Sequence, residues 1–265
     1  MVKRYLTQNP CYKAGRNIAV KGLMLHSVGV AQPDPMVFIR QFDNPGYDRA
    51  CVHGFIGADE TYITLPILET PGQAMRGWHG GKQASNNAYI GVEMTEPRDI
   101  KYIGGASFQV LNRTKAVAHV EAATRRAVEL FAKLCTFHGL NPLMDIVSHA
   151  EGYKLDIASN HGDPDHLWRG LNMNYNMDKF RRDVAAAMKG EDDMTKEEVK
   201  AIVREVLQEQ QELVYDTVAA VPTWAQPTVR KLVTKGLLNG TGSRLSLNYD
   251  TLRVLVINDR AGLYD

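Results

Sequence analysis

A chain of 265 residues, 44% hydrophobic and 23% charged, has the composition of a soluble globular protein and the length for one sizeable catalytic domain plus a small module. Its 31 Lys and Arg residues nearly balance its 30 Asp and Glu residues, so overall charge gives no support for a nucleic-acid partner. No apolar run approaches the roughly 20 residues needed to cross a bilayer, so membrane insertion is not expected.

The first part of the chain is predicted to be α/β, with a central mixed β-sheet flanked by helices. Apolar runs bounded by polar or turn residues predict buried strands, and the turn at 57–60 predicts that two of them form a hairpin. Helical spacing of apolar residues, ended by Gly139, predicts a long amphipathic helix over 115–138. Strands around such a helix indicate a sheet with helices on its faces. The predicted strands are Ile18–His26, Cys51–Ile56, Thr61–Leu65, Tyr89–Met94 and Asp145–His149, and a closing helix covers 174–189.

A domain boundary is predicted at 190–194, where the sequence GEDD is polar and unfavourable for a helix. It separates a catalytic domain, 1–190, from a small all-α module, 191–265. Thr195 and Glu198 fit a capping box, which predicts a helix from there to about residue 219. That helix carries a narrow apolar stripe, formed by Val199, Val203, Val206 and Leu213.

Two further helices are predicted in the module, over Trp224–Lys235 and Tyr249–Ala261. Each is followed by a glycine at the expected stop position, Gly236 and Gly262. Some forty residues make a marginal core by themselves, so the module is expected to lean on the preceding helix or on a partner chain.

Polar residues at the ends of two predicted strands, together with one acidic loop residue, suggest a metal site. His26 and His149 each close an apolar strand, and Asp163 lies in the loop HGDPDHLW. Two histidines and one carboxylate from separate segments are the ligand set of a catalytic zinc ion, with the fourth position open to water. Spacing alone leaves the ordinary alternative open, because a single histidine is more often a surface or hydrogen-bonded residue.

Six short motifs then sharpen the interpretation. They are Leu25-His26-Ser27, Val52-His53-Gly54-Phe55-Ile56 with Asp59-Glu60-Thr61, Gly77-Trp78-His79-Gly80-Gly81, Asn87 with Ile90-Gly91-Val92-Glu93-Met94, Ser148-His149, and Asp163-Pro164 with Leu167-Trp168. In this order they resemble the motifs of the type-2 N-acetylmuramoyl-L-alanine amidases, whose fold is shared with phage lysozyme-like amidases and peptidoglycan recognition proteins. The resemblance covers about 15–185, and the order of the motifs makes it specific.

The resemblance implies a zinc-dependent amidase that cuts peptidoglycan between the lactyl group of N-acetylmuramic acid and L-alanine. It implies that His26, His149 and Asp163 bind Zn²⁺, and that Glu93 is the general base that passes a proton to the leaving nitrogen. His161 stands where the family often has a lysine, and a histidine there is expected to stabilise the oxyanion.

Some assignments stay open at this point. Asp165 and His166 are close enough to Asp163 in sequence to be alternative third ligands. Some relatives carry a catalytic tyrosine where this chain has Val52, which leaves Glu93 as the main candidate base.

Residues expected near the substrate groove without binding metal are Trp78, His79, Asn87 and His53. An aromatic face suits the apolar face of a sugar ring, so Trp78 and His79 are interpreted as a wall of the groove, although simple core packing explains Trp78 equally well.

The resemblance also bears on the module, the compartment and the rival functions. The module at 191–265 is expected to bind the cell wall, to form a homodimer, or both.

The N-terminal sequence MVKRYLTQNPCYKAG lacks the apolar core of a signal peptide, so synthesis in the host cytoplasm and release by a phage or prophage lysis system are expected. Three scattered cysteines without a CxxC pair predict buried free thiols. The rival functions are a peptidoglycan-binding protein without catalysis and a zinc hydrolase acting on another acylated amine.

Overall fold

A computed structural model describes residues 1–192, 214–242 and 244–265 of the chain. The predicted helix from Thr195 and its apolar stripe fall mostly at 193–213, outside the described residues. The chain forms two compact units, Met1–Asp193 and Met194–Asp265. Within the described ranges, no helix is both long and apolar enough to cross a bilayer.

Ten strands and seven helices build the first unit as described. The strands are β1 (Val2–Lys3), β2 (Asn17–Ala19), β3 (Gly22–Ser27), β4 (Gly54–Ile56), β5 (Thr61–Ile63), β6 (Gln73–Met75), β7 (Tyr89–Met94), β8 (Ile100–Gly104), β9 (Ser107–Val110) and β10 (Ile146–Ser148). The helices are α1 (Pro10–Lys13), α2 (Pro35–Phe42), α3 (Gln83–Asn86), α4 (Arg113–His138), α5 (His149–Lys154), α6 (Asp165–Gly170) and α7 (Met177–Asp192).

The central sheet has six strands in the order β1-β5-β4-β7-β3-β10. Only the β4–β5 pair is antiparallel, and it is the predicted hairpin; the other neighbours run parallel, so the sheet is mixed as expected. The strands in the middle of the sheet are apolar on both faces, and every residue of β3 is buried. Two small antiparallel pairs, β2–β6 and β8–β9, stand outside this sheet.

Helix α4 covers the sheet because its apolar residues recur every three or four positions. Asn112 caps its start by accepting a hydrogen bond from the Lys115 amide, and Gly139 ends it in the left-handed conformation at φ 70°. The helix packs against β4, β7 and α7. Burying a large apolar side chain such as Phe131 contributes about 1.5–3 kcal/mol of transfer free energy.

The described part of the second unit contains helices α8 (Gln226–Thr234) and α9 (Tyr249–Arg260). They enclose a small apolar core, and the predicted stop glycines, Gly236 and Gly262, both adopt positive φ. An ion pair between Lys231 and Asp259, at 2.9 Å, joins the two helices. In the first unit the three cysteines are buried and free, as predicted.

Candidate active site

The ends of three neighbouring parallel strands bring the predicted site residues together. His26, near the end of β3, stands directly opposite Glu93 of β7 in the strand register, so the two side chains share one face of the sheet. His149 follows β10 immediately, as the first residue of α5. Because parallel strands end at the same edge of a sheet, side chains placed at their carboxyl ends converge there.

Hydrogen bonds around the start of α5 fix His149. The Ser148 hydroxyl accepts the Glu151 amide at 3.1 Å, and the Glu151 carboxylate accepts the Ser148 amide at 3.0 Å, which completes a capping box. Arg181 of α7 holds the same carboxylate through two bonds of 2.9 and 3.0 Å. The Ala150 amide then donates to the Asp163 carbonyl at 3.2 Å, which ties the acidic loop to this helix start.

His26, His149 and Asp163 form a compact group with metal-ligand geometry. The two Nδ1 atoms lie 2.9 Å apart, and the Asp163 carboxylate lies 3.4 Å from Nδ1 of His26 and 3.6 Å from Nδ1 of His149. Two donors on a tetrahedral zinc ion with bonds of about 2.0–2.1 Å are roughly 3.3 Å apart, so these spacings fit the ion. Burial acts to raise the pKa of Asp163, but the close contacts of its carboxylate with the His149 and His26 rings outweigh burial and hold that pKa well below its usual range.

Glu93 and the charge around the site also favour a cation. Burial raises the pKa of Glu93 well above its usual value, and the negative charges of Asp163 and Glu96 add to the effect. Its Oε2 atom is buried without a hydrogen-bond partner among the described residues. No Lys or Arg of the described ranges forms an ion pair with any of these three carboxylates. A divalent cation at the His26–His149–Asp163 group would compensate this excess of negative charge.

His79 contacts a metal-site histidine. Its Nε2 donates to the Tyr89 carbonyl at 2.9 Å, and its Nδ1 lies 3.0 Å from Nε2 of His26. Burial lowers the pKa of His79 well below its usual value, so the ring is neutral and its Nδ1 is an acceptor. His26 therefore donates through Nε2, which leaves the lone pair of its Nδ1 for a metal. His79, which was predicted to form a wall of the groove, therefore contacts the candidate metal ligand His26 at its ring nitrogen that faces away from the metal site.

Two neighbouring residues make room for His79 and hold it. A Cβ on Gly91 would lie 2.2 Å from Nδ1 of His79, so only glycine at this strand position admits the ring. The Asn86 side chain accepts the amides of His79 and Gly80 at 2.9 and 3.0 Å. The motifs do not reveal Asn86, because the resemblance points to the adjacent Asn87.

His161 lies next to His149, on the side of the three candidate ligands opposite to His79. Its Nδ1 is 3.2 Å from Nε2 of His149, and the Ser159 hydroxyl is also 3.2 Å from that nitrogen. His161 is exposed. In this conformation it contacts the outer nitrogen of a ligand and not the face between the three donors.

The two alternative third ligands lie outside the group. Among the described residues, the compact set with metal-ligand spacing contains Asp163 but neither Asp165 nor His166. Asp165 begins α6, and the Nε2 atom of His166 points to the Tyr102 hydroxyl at 2.6 Å. The geometry therefore favours Asp163 as the third ligand.

Trp78 precedes His79 in the loop between β6 and α3, and Asn87 lies at the C-terminal end of α3. The Trp78 backbone pairs with Cys51, and its side chain is half-buried against the apolar cluster around Phe55. Asn87 is exposed, and its side-chain oxygen accepts Nε of Arg76 at 2.6 Å. Contact of either residue with substrate stays a prediction.

His53 does not lie at the groove, in contrast to the prediction. Its ring is 0% exposed, and both nitrogens are used by backbone groups. Nε2 donates to the Met75 carbonyl at 2.8 Å, and Nδ1 accepts the Gly91 amide at 2.9 Å. The ring thus fills the core behind His79, where it cannot reach a substrate.

Buried His53 should make the fold sensitive to acid. Burial lowers its pKa from 6.5 to about 4, so the unfolded chain takes up a proton between these pH values while the folded chain does not. The stability that neutral His53 provides is complete above pH 6.5 and is lost as pH falls towards 4, by about 3 kcal/mol. Urea unfolding of metal-free protein at several pH values should show a shallower acid loss in His53→Gln than in wild type. Equal losses in both proteins would contradict this role.

The N-acetylmuramoyl-L-alanine amidase family model matches residues 16–166. The fold is similar to that of hydrolase AmiA from Staphylococcus aureus, solved with its ligand, at 19% identity and TM-score 0.53, covering 71% of this chain and 82% of that one. It is also similar to that of a mutant of PlyL, at 13% identity and TM-score 0.50, covering 70% and 98%. No curated protein sequence matches the chain.

At these identities the two solved structures support the fold alone. The family model is more specific, since it spans more than half of the chain and contains His26, Glu93, His149 and Asp163. The chain therefore belongs to the N-acetylmuramoyl-L-alanine amidase family.

Proposed function

We propose that this chain is a zinc-dependent hydrolase that cuts the amide bond between N-acetylmuramic acid and L-alanine in peptidoglycan. The observation that carries the proposal is the convergence of His26, His149 and Asp163, with donor spacings of 2.9–3.6 Å, beside Glu93 on the next strand, whose Oε2 atom is buried. The family match supports the bond that is cut.

Zn²⁺, held by His26, His149 and Asp163, would polarise the lactyl carbonyl and lower the pKa of the attacking water. Glu93 accepts a proton from the attacking water as the water oxygen bonds to the carbonyl carbon. It then delivers the proton to the alanine nitrogen as the C–N bond breaks, so a free amine and a free carboxylate result. The unpartnered Oε2 of Glu93 is available to take that proton, and the raised pKa of Glu93 favours keeping it until the alanine nitrogen leaves. His161 is proposed to hold the oxyanion, by turning from His149 towards the substrate.

The proposed substrate is the bacterial cell wall, and the proposed setting is lysis by a phage or prophage enzyme. The module 191–265 is proposed to bind wall polymer or to form a homodimer. Its described part presents exposed Trp224 and Tyr249, whose rings pack edge to face at 5.6 Å. Such a pair suits contact with sugar rings.

Digestion of purified walls tests the activity directly. The full chain should release free L-alanine amino termini without new reducing sugar ends, because the bond cut is an amide. A zinc chelator should abolish the release and added Zn²⁺ should restore it, both scored by mass spectrometry. Residues 1–190 alone should keep the same cleavage product but bind walls less, if the module anchors the enzyme.

The binding-protein alternative makes the opposite prediction. Retention of the chain on walls without any new amino termini, with zinc present, would move the function to recognition. Release of acetate from amino sugars would instead indicate a deacetylase.

A further inference from the structure

Glu96 is a fully buried carboxylate that the proposed mechanism does not use. It lies two residues beyond β7 and is 0% exposed, which is rare for a glutamate unless its charge is well partnered. Its Oε1 accepts the Ser27 hydroxyl at 2.8 Å and the Gly29 amide at 2.9 Å. Its Oε2 accepts the Tyr102 hydroxyl at 2.6 Å, and His166 lies 3.7 Å from Oε1.

These contacts join three separate segments at one carboxylate. Ser27 and Gly29 belong to the end of β3 and the loop after it, immediately beyond ligand His26. Tyr102 comes from the β8–β9 pair, and His166 comes from α6. Because a carboxylate only accepts, the Tyr102 hydroxyl donates to Glu96 and accepts Nε2–H of His166 at 2.6 Å. The chain of bonds thus has one direction, from α6 to Glu96.

Both sides of Asp163 are attached to this chain of bonds. On one side, Ser27 donates its hydroxyl to Glu96 and its amide to Oδ2 of Asp163, at 3.2 Å. On the other side, the His166 amide donates to the Gly162 carbonyl at 3.1 Å, in the residue before Asp163. Glu96 therefore fixes the donor that orients the Asp163 carboxylate and the helix turn that follows it.

We propose that Glu96 is a positioning residue that holds Asp163 in place as a metal ligand. The inference rests on the proposed zinc site. It differs from a general stabilising role, because the loss of Glu96 should act on metal binding beyond its effect on folding. Removing a group that orients a metal ligand through a hydrogen bond typically weakens metal affinity by about 10–100-fold.

Three variants separate these roles. Glu96→Ala removes both halves of the network, and Tyr102→Phe removes only the hydroxyl between Glu96 and His166. Phe131→Leu is the matched control, since it opens a cavity in the core under α4 without touching the network. For each variant of the 265-residue chain, the zinc dissociation constant is measured by chelator competition, the Co²⁺ absorption spectrum is recorded, and metal-free unfolding by urea gives the stability.

We expect Glu96→Ala to weaken zinc binding by about 10–100-fold and to change the Co²⁺ spectrum. Tyr102→Phe should weaken binding less, and Phe131→Leu should lose stability with its zinc affinity kept. Zinc affinity unchanged in Tyr102→Phe, and in Glu96→Ala if that variant folds, would overturn the inference while the wild-type zinc site stands. A wild type that binds no zinc would overturn the proposed function and this inference together.

Discussion

Glu93→Gln is expected to lower the rate of wall hydrolysis by about 10²–10⁴-fold while zinc stays bound. Glutamine matches the shape of the side chain but cannot take a proton from water or return it to the leaving nitrogen. The zinc dissociation constant should stay close to the wild-type value, because Glu93 lies beside the group of three donors and is not part of it. Release of alanine amino termini per unit time measures the first quantity, and chelator competition measures the second.

The matched control is Glu121→Gln, which makes the same chemical change at an exposed position on α4. It should leave both the rate and the zinc affinity unchanged. Near-normal turnover in Glu93→Gln would show that another group moves the proton, and a joint loss of zinc and activity would show that Glu93 belongs to the metal site itself.

His79→Leu should weaken zinc binding by about 10–100-fold, since it leaves the Nε2–H of His26 buried without an acceptor. His79→Asn should recover part of the affinity, because the asparagine oxygen takes the place of Nδ1. His138→Leu provides the control: that histidine likewise uses both ring nitrogens, but its partners are only backbone groups, the Ile67 carbonyl and the Gly72 amide. Its removal should leave zinc affinity intact. Equal affinity in His79→Leu and wild type would exclude the positioning role.

The same measurement on His161→Ala separates its two roles. As the oxyanion residue it should lose turnover with zinc affinity kept. As a partner of the outer nitrogen of His149, it should lose zinc affinity in the way expected for His79→Leu.

Sequence patterns predicted the helices and strands that are determined by nearby residues, such as apolar spacing and capping residues. The strand Tyr89–Met94 has the predicted bounds, and α4 begins two residues before the predicted start, after its Asn112 cap. The apolar run Ile18–His26 instead divides into β2 and β3, which pair in different sheets. Period and composition do not encode which strand becomes a neighbour, so one run was predicted as one strand. The β8–β9 pair and α2 were missed.

The candidate site also has a part that the sequence predicts and a part that depends on tertiary packing. The candidate ligands were recognisable because each sits in a short motif at the end of a strand. The contacts of His79 with His26 and of Glu96 with Ser27 join residues 53 and 69 positions apart, so they depend on tertiary packing. Burial also decided the place of His53: its motif was recognised, but nothing in it shows that backbone groups occupy both ring nitrogens.

Gly91 has a cost that belongs to the whole protein. In the middle of a buried strand, glycine weakens the fold by roughly 0.5–1 kcal/mol relative to alanine. An engineer seeking a more thermostable enzyme would replace such a residue first. Here the added methyl group would collide with the His79 ring and so disturb His26, which His79 contacts. The missing carbon is therefore a stability cost that a simple substitution cannot recover, because the space it leaves is filled by the His79 ring.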